Sequence, residues 1–292
     1  MKGLRCTTSS LSGFSLSSAR RYPSAIWRLL RTGYADGATN MAIDEAISLA
    51  VAEGAVPPTI RFYGWQPPCL SIGYAQSMEG EVDVAKCHRH GIDCVRRPTG
   101  GRAVLHADEL TYSLALPKGD PRAEGGVIES YRRLSLGLVL GLRSLGLPVV
   151  QAPEERGEGA NSAVCFDLPA PYEITVGGKK LVGSAQVRRK GVVLQHGALP
   201  LKGDVARIID FLRVPEGKRK ELKRELRGKA TSLELALGRI VTFSEVAEAL
   251  REGFAQALNL ELIPGELTPY ELSLAEKLRS EKYGAWKWNF QK

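Results

Sequence analysis

The sequence lacks several features that would assign it to a broad class of protein. It has no run of about 18 apolar residues, so it contains no segment that would cross a membrane as a helix. Its five cysteines are odd in number, and no two form a C-x-x-C pair. This argues against a zinc site or a disulfide framework and indicates reduced thiols in a cytoplasmic protein.

A basic excess is also missing from most of the chain. The net charge is +8, but six of the 40 basic residues precede Asp36, the first acidic residue, and 34 basic residues remain against 32 acidic ones. Binding of nucleic acid needs basic residues clustered on one face. The composition of the body therefore does not predict a nucleic-acid partner.

Residues 1–26 have no acidic residue and are rich in Ser and Arg. Such a composition is typical of an organelle transit peptide, of a disordered tail or of a mis-assigned start codon. We expect this segment to lie outside the folded part of the chain.

From Trp27 onward, strand and helix patterns alternate. The predicted strands are 59–64, 69–74, 93–97, 102–106, 110–116, 172–176, 179–186 and 192–196. The predicted helices are 40–50, 82–90, 127–145, 204–212, 216–226, 243–258 and 269–282. The pattern predicts an α+β fold with a mixed, largely antiparallel sheet and helices packed on it.

The first candidate site is the stretch Arg96-Arg97-Pro98-Thr99-Gly100-Gly101-Arg102. Two glycines between strands allow the backbone to approach a ligand closely, and successive N–H groups there can bind an anion. Arg97 and Arg102 would add positive charge. The alternative is a tight turn with solvated arginines, and the residues alone leave both open.

The second candidate is a hairpin whose two-residue turn is Gly177-Gly178. This turn places Thr175 opposite Lys180. Strand alternation then predicts one core face and one polar face. The core face carries Ile174, Val176, Leu181 and Ala185, and the polar face carries Glu173, Thr175, Lys180, Val182, Ser184 and Gln186. A lysine on a solvated sheet face is the alternative.

Cys165 is the third candidate because it lies fifteen residues before Lys180, within reach of one strand, a loop and a hairpin. A neighbouring ammonium lowers the pKa of a thiol and makes the nucleophilic thiolate abundant. A buried structural cysteine is the alternative, and we expect Cys69 and Cys94, in apolar strands, to be of that kind.

Two histidines, His106 and His196, each lie at the end of an apolar strand. Each could be a polar residue of the site or a structural histidine with its hydrogen bonds satisfied, and the sequence leaves both interpretations open.

Several runs in fixed order resemble the lipoate–protein ligase A superfamily, which includes biotin ligases. They are NMAIDEAI, TIRFYGWQPPCLSIGYAQ, RRPTGGRAVLHADELTYS and KKLVGSAQVRRKGVVLQHG. The resemblance extends from about Trp27 to EKYGAWKWNF near the C-terminus. It implies a catalytic domain of the biotin/lipoate protein ligase type over residues 27–262 and a C-terminal helical extension over 263–292.

Within that superfamily the chain is most similar to octanoyltransferases. Cys165 matches their cysteine in a C-F-D context, and Lys180 matches the lysine of their K-x-x-G-S-A motif. ATP-dependent ligases usually have Asn-Asp in place of the cysteine and a third glycine where this chain has Arg102. The resemblance therefore implies acyl transfer without ATP, a metal or another cofactor.

The implied reaction takes octanoate from the phosphopantetheine thioester of acyl carrier protein onto Cys165. It then passes to a lysine of a lipoyl-accepting domain such as glycine cleavage H protein. The motifs and the resemblance predict ten substrate-binding residues: Arg97, Thr99, Gly100, Gly101, Arg102, Ala103, His106, Ser184, Ala185 and Gln186. Basic residues would steer the two acidic partners: Arg96, Arg97, Arg188, Arg189 and Lys190.

Three other functions remain open at this point. An amidotransferase would move octanoate between two lipoyl domains through the same thiol. An ATP-dependent lipoate or biotin ligase would not need Cys165. A non-enzymatic acyl-binding or scaffold protein would form no acyl–cysteine.

Overall fold

The computed structural model describes residues 22–152 and 173–291. Its strands, in chain order, are β1 (Ala25–Ala35), β2 (Thr59–Trp65), β3 (Cys69–Ile72), β4 (Asp93–Arg96), β5 (Val104–His106), β6 (Glu109–Pro117), β7 (Val150–Gln151), β8 (Ile174–Val176), β9 (Lys179–Arg189), β10 (Val192–Pro200) and β11 (Leu260–Gly265).

The α-helices are α1 (Gly37–Ala52), α2 (Met78–Glu81), α3 (Val84–Arg89), α4 (Val127–Leu134), α5 (Leu136–Ser144), α6 (Arg219–Lys229), α7 (Leu233–Leu237), α8 (Phe243–Leu258), α9 (Pro269–Leu278) and α10 (Trp286–Asn289). Short 3-10 or π-helical turns are Pro121–Ala123, Val205–Phe211, Glu216–Lys218 and Arg279–Tyr283. No helix in the two described ranges is long and apolar enough to cross a membrane.

The strands form two sheets. The large sheet has the order β11-β1-β2-β6-β10-β9-β8-β7, with parallel pairing among β11, β1 and β2 and antiparallel pairing in the rest. The small sheet has the order β4-β3-β5. The predicted α+β fold with a mixed, largely antiparallel sheet is confirmed, although the division into two sheets was not predicted.

Helices cover both faces of the large sheet, and strand β2 shows why. Phe62 belongs to the core formed with α5 and α8, whereas Tyr63 belongs to the core formed with α1 and α9. Successive side chains of a strand point to opposite faces, so a strand covered on both sides is buried along its whole length. Every residue of β2 is buried.

Helices α5 and α8 approach each other at backbone distance because glycines line their contact. A Cβ on Gly253 would lie 2.2 Å from the Gly137 carbonyl oxygen, and one on Gly141 would lie 2.6 Å from the Ala249 carbonyl oxygen. The packing of these two helices therefore depends on hydrogen-sized side chains at these positions.

Sequence-based predictions of elements need correction in several places, and the helix predicted over 204–212 is the 3-10 helix Val205–Phe211. The helix predicted over 127–145 is two helices, α4 and α5, which meet at the buried Ser135, where ψ is −12°. Strands β1 and β11 were not predicted, and they pair with each other in parallel at one edge of the sheet. Strands β9 and β10 are longer than predicted and run to Arg189 and Pro200.

Candidate active site

A cavity lies where the small sheet meets the central strands of the large one. Five residues predicted for substrate binding line it: Arg97, Gly101, His106, Ser184 and Ala185. Apolar side chains supply much of the remaining wall: Met41, Tyr63, Trp65, Val104 and Ala198. An apolar cavity with a few polar groups is the usual form of a small-molecule site.

The loop between β4 and β5 borders this cavity, and the Arg97 side chain holds it from inside. Its guanidinium donates to the carbonyl oxygens of Gly100 at 2.9 Å and Arg102 at 2.6 Å. It also donates to the Ser71 hydroxyl at 3.0 Å. Arg97 is buried, so the solvated turn considered above does not describe it. The guanidinium shapes the loop by binding the loop's own backbone.

Glycine is required twice where this loop meets the end of β3. Gly101 has a φ of +90°, a conformation that side chains with a Cβ rarely adopt. A Cβ on Gly73 would lie 2.0 Å from the Gly101 carbonyl oxygen. The loop and the turn after β3 are therefore in backbone contact.

His196, on β10, links the loop to a buried carboxylate. Its Nδ1 lies 3.2 Å from Asp44 Oδ2, and its Nε2 lies 2.7 Å from the Thr99 hydroxyl. Burial lowers the pKa of His196, and the hydrogen bond and charge of Asp44 offset this only in part. Because a carboxylate only accepts, Nδ1 carries the proton and Nε2 accepts from Thr99.

Asp44 lies at the centre of a fully buried polar cluster. It accepts hydrogen bonds from Arg61 at 2.7 Å, Tyr63 at 2.8 Å and Ser113 at 2.8 Å. Burial acts to raise the pKa of Asp44, but the Arg61 charge and the His196 hydrogen bond outweigh it, so the pKa lies below its usual value. The carboxylate is therefore ionised and fully engaged.

His106, on β5, forms a second link of the same kind. Its Nδ1 lies 2.8 Å from Glu109 Oε1, and its Nε2 lies 2.7 Å from the Ser71 hydroxyl, which also accepts from Arg97. The ring stacks on Trp65, with ring centroids 4.1 Å apart. Each histidine thus connects a buried carboxylate to a hydroxyl group beside the loop.

Lys180 is also buried, with 1% of its surface exposed, so the solvated lysine considered above is excluded. Its Nζ lies 2.5 Å from Glu173 Oε1. The predicted pairing of Thr175 with Lys180 across the Gly177-Gly178 turn is confirmed. Lys180 is not among the residues that line the cavity described above.

The predicted faces of β9 fail beyond Lys180 because the pairing of β8 and β9 is irregular between Ile174 and Thr175. Ile174 pairs with Val182, and Val182 belongs to the hydrophobic core instead of the polar face. Ala185, predicted for the core, lines the cavity. An added residue in one strand reverses which side chains share a face.

Ser184 and Gln186 consequently bind side chains on the face of the large sheet that α5 and α8 cover. Burial raises the pKa of Tyr112 to about 12, and its hydroxyl donates to the Ser184 hydroxyl at 2.8 Å. Gln186 accepts from Ser130 at 3.1 Å and donates to Gln195 at 3.1 Å. Ser184 still borders the cavity, but the Gln186 side chain is engaged elsewhere.

The remaining predicted residues of the loop have different positions. Thr99 is buried beside His196, and Gly100 contributes a carbonyl to Arg97. Arg102 is half-buried and also contributes its carbonyl to Arg97. Ala103 is buried in the core of the small sheet and does not line the cavity.

The prediction that five basic residues steer acidic partners needs correction. Arg96 and Arg97 are buried. Arg188 donates to the carbonyl oxygens of Gly125 at 2.6 Å and of Ala123 at 2.8 Å. The other two basic residues are exposed: Arg189 and Lys190.

Cys165 and Cys6 lie outside the described residues. Cys69 is buried in β3, where burial raises the pKa of its thiol well above the usual range. Cys87 is buried and Cys94 half-buried. None of these three described cysteines lines the cavity.

Several residues that hydrogen-bond to the two histidines or to their carboxylate partners were not predicted from the sequence. Asp44 lies on the buried face of α1, and Arg61 lies inside a wholly buried strand. The signal was present, because charged residues are almost never fully buried unless paired, and both interrupt apolar runs. Glu109 and Ser71, beside His106, carried no comparable signal.

Comparison with known proteins identifies the family to which the chain belongs. Residues 36–255 match the family of lipoyl protein ligase A/B catalytic domains, and the chain belongs to that family. It is 48% identical to octanoyltransferase LipM of Symbiobacterium thermophilum over 273 residues, covering 91% of this chain and 98% of that protein. It is 50% identical to octanoyltransferase LipM of Kyrpidia tusciae, with 91% and 99% covered.

A solved structure is also similar. The bi-partite lipoate protein ligase of Thermoplasma acidophilum superposes with a TM-score of 0.77 at 29% sequence identity, covering 91% of this chain and 96% of that one.

Proposed function

We propose that the protein transfers octanoate from acyl carrier protein to a lysine of a lipoyl-accepting domain, such as glycine cleavage H protein, through a thioester on Cys165. The observation that carries this is the identity of 48–50% along 91% of the chain to two octanoyltransferases. The chain is an acyltransferase of lipoate biosynthesis. The donor, the acceptor and the covalent intermediate are the finer parts of the proposal.

The proposed reaction has two half-reactions. The Cys165 thiolate attacks the octanoyl thioester of acyl carrier protein, the thioester bond to phosphopantetheine breaks, and the phosphopantetheine leaves as a thiolate. The neutral amine of the acceptor lysine then attacks the octanoyl–Cys165 thioester, an amide forms, the thiolate leaves and the amine loses its proton. Thioester exchange is nearly neutral in energy and amide formation is downhill, so the reaction needs no ATP. Covalent catalysis of this kind divides one difficult step into two easier ones.

In this scheme the Lys180 ammonium group activates the thiol or stabilises the oxyanion, and both roles require a cation in a fixed position. An ammonium beside a thiol lowers the thiol pKa, and one beside the carbonyl stabilises the oxyanion of the tetrahedral intermediate. The buried ion pair with Glu173 supports a lysine whose position is defined. The carboxylate partner also allows the ammonium to remain in a region of low dielectric.

The cavity supports an acyl substrate. Its wall combines apolar side chains with the backbone of the Arg97–Arg102 loop, and an octanoyl chain needs apolar surface along its length. We propose that the acyl carbonyl lies near this loop and near Ser184 and Ala185. In this scheme the Gln186 side chain does not contact the substrate. Gln186 contributes only its backbone, or it helps to hold strand β9 in place.

Two rival functions differ in what they consume. An amidotransferase would accept octanoyl-H-protein and not octanoyl-ACP. An ATP-dependent ligase would release pyrophosphate and keep its activity in Cys165→Ala. The identity to octanoyltransferases exceeds the 29% identity to the lipoate protein ligase, which favours transfer over ligation.

An assay of amide formation separates these functions. The full chain is mixed with an apo lipoyl domain and either octanoyl-ACP or octanoyl-H-protein, with and without ATP. We expect product from octanoyl-ACP without ATP and none with Cys165→Ala. Cys87→Ala, a buried thiol away from the cavity, serves as the matched control. Product from octanoyl-H-protein alone, or a requirement for ATP, would contradict the proposal.

A further inference from the structure

We infer that His196 is a positioning residue for acyl transfer, because it fixes the loop of residues 97–103 through the Thr99 hydroxyl. The predicted effect on acyl transfer rests on the proposed function, whereas the hydrogen bonds from which the inference is drawn are independent of it. They join β10, the loop and a buried carboxylate in one chain of hydrogen bonds.

The first contact sets the imidazole. Asp44 is held by Arg61, Tyr63 and Ser113, so its carboxylate cannot rotate without breaking buried hydrogen bonds. His196 Nδ1–H donates to this carboxylate. A ring nitrogen bound in this way fixes both the orientation and the tautomer of the ring, as a carboxylate does behind a metal-binding histidine.

The second contact joins the oriented imidazole of His196 to the loop. Nε2 of His196 accepts from the Thr99 hydroxyl at 2.7 Å, and both side chains are buried. The Thr99 carbonyl in turn accepts from the Tyr74 backbone N–H at 2.9 Å. Thr99 therefore joins the imidazole to the turn after β3, on which Gly101 packs.

The loop is held on its other side independently of His196. Arg97 binds the carbonyls of Gly100 and Arg102 and is itself bound to Ser71, beside His106. Removing the Thr99 hydroxyl should therefore loosen one side of the loop and not unfold it. A shift of about 1 Å in a positioning group is enough to lower a rate about 100-fold.

Protonation of His196 would reverse the direction of this hydrogen bond, because Nε2 would become a donor and the Thr99 hydroxyl would accept from it. The charged and titratable groups around the imidazole come from four elements: Asp44 on α1, Arg61 and Tyr63 on β2, Arg97 in the loop and His106 on β5. Arg97 and His106 disfavour the imidazolium, whereas Asp44 favours it.

The test compares Thr99→Val, Thr99→Ser and His196→Ala in the full chain, with the exposed His90→Ala as control. Two quantities are measured: the rate of acyl-enzyme formation from octanoyl-ACP, and hydrogen–deuterium exchange of the amides of residues 99–103. We expect Thr99→Val and His196→Ala to lower the maximal rate about tenfold or more, with KM changed less than about threefold, and to speed loop exchange. Thr99→Ser should restore most of both, and His90→Ala should match the wild type.

Several outcomes would overturn the inference. Thr99→Val with wild-type rate and exchange would show that the hydroxyl does not hold the loop. Faster exchange without a fall in rate would show that the loop position does not matter for transfer, and a slower rate without faster exchange would show that Thr99 acts otherwise. If His196→Ala fails to fold, the Thr99 pair still decides. Failure of the wild type to form an acyl-enzyme would contradict the proposed function, whereas the exchange measurement would still test the contact.

Discussion

The side-chain oxygen of Asn289 accepts a hydrogen bond from the backbone N–H of Arg96 at 2.8 Å. The Arg96 guanidinium, 1% exposed, donates in return to the C-terminal segment and to the turn after β3. Its acceptors are the carbonyl oxygens of Gly73, Tyr74, Gln76, Trp288, Asn289 and Gln291. The end of the described chain is therefore fastened to the residue that precedes Arg97.

Asn289→Ala should lower the free energy of unfolding by about 1–3 kcal/mol, because it leaves the buried Arg96 N–H without its acceptor. Denaturant titration measures the change. Lys287→Ala, on the exposed side of the same short helix, is the matched control and should stay within about 0.5 kcal/mol of the wild type. Equal effects of the two substitutions would show that the contact contributes nothing.

Gly73→Ala should destabilise the protein by about 1–3 kcal/mol, because its Cβ would overlap the Gly101 carbonyl oxygen and push the loop away. Thermal unfolding checks the stability. Gly119→Ala, where a Cβ would meet no atom within 4 Å, is the control. Wild-type stability in Gly73→Ala would mean that the loop gives way freely at this point.

The stability of the protein should fall as pH drops below about 6.5. Burial lowers the pKa of His196, so in this range the unfolded chain takes up a proton that the folded chain resists. The expected slope from this residue is up to about 1.4 kcal/mol per pH unit, and the full stability is present above pH 6.5. Asp44, whose pKa is lowered, adds a second loss only below its usual value of 3.8.

Denaturant midpoints measured between pH 5 and 7.5 test this slope. His196→Gln should flatten it relative to the wild type, whereas His90→Gln, at an exposed position, should leave it unchanged. An unchanged slope in His196→Gln would assign the pH dependence to another group.

The Lys180–Glu173 pair should show strong coupling in a double-mutant cycle. Lys180→Met or Glu173→Gln alone leaves one buried charge without this partner and should destabilise by about 3–5 kcal/mol. The double variant should lose much less than the sum of the two. Additive losses in denaturant titrations would show that the pair is not coupled. Lys179→Met, at the neighbouring and more exposed lysine, is the control.

Local patterns predicted the hairpin well because its two-residue glycine turn fixes the register by itself. The same reasoning failed from Val182 onward, since the irregularity between Ile174 and Thr175 reverses the faces of β9. Nothing in the run of side chains marks that irregularity. The result is that Ala185, and not Gln186, presents its side chain to the cavity.

Buried charge was the other source of error. Arg96 was predicted to steer partners at the surface, and a solvated face was the alternative for Lys180, because most arginines and lysines are exposed. Arg96 binds six carbonyl oxygens that lie far along the chain, and Lys180 binds Glu173 on the other side of the hairpin turn. A sequence pattern does not show that these partners lie within hydrogen-bond distance. Cys165 was selected by the family resemblance, and its place in the mechanism stays a prediction.

The most direct test of the account is the intact mass of the full chain after mixing with octanoyl-ACP, followed by peptide mapping. The account predicts a gain of one octanoyl group that hydroxylamine removes, located on Cys165. The gain should be absent in Cys165→Ala and present in Cys87→Ala. An unmodified wild-type chain, or an octanoyl group on another residue, would contradict it.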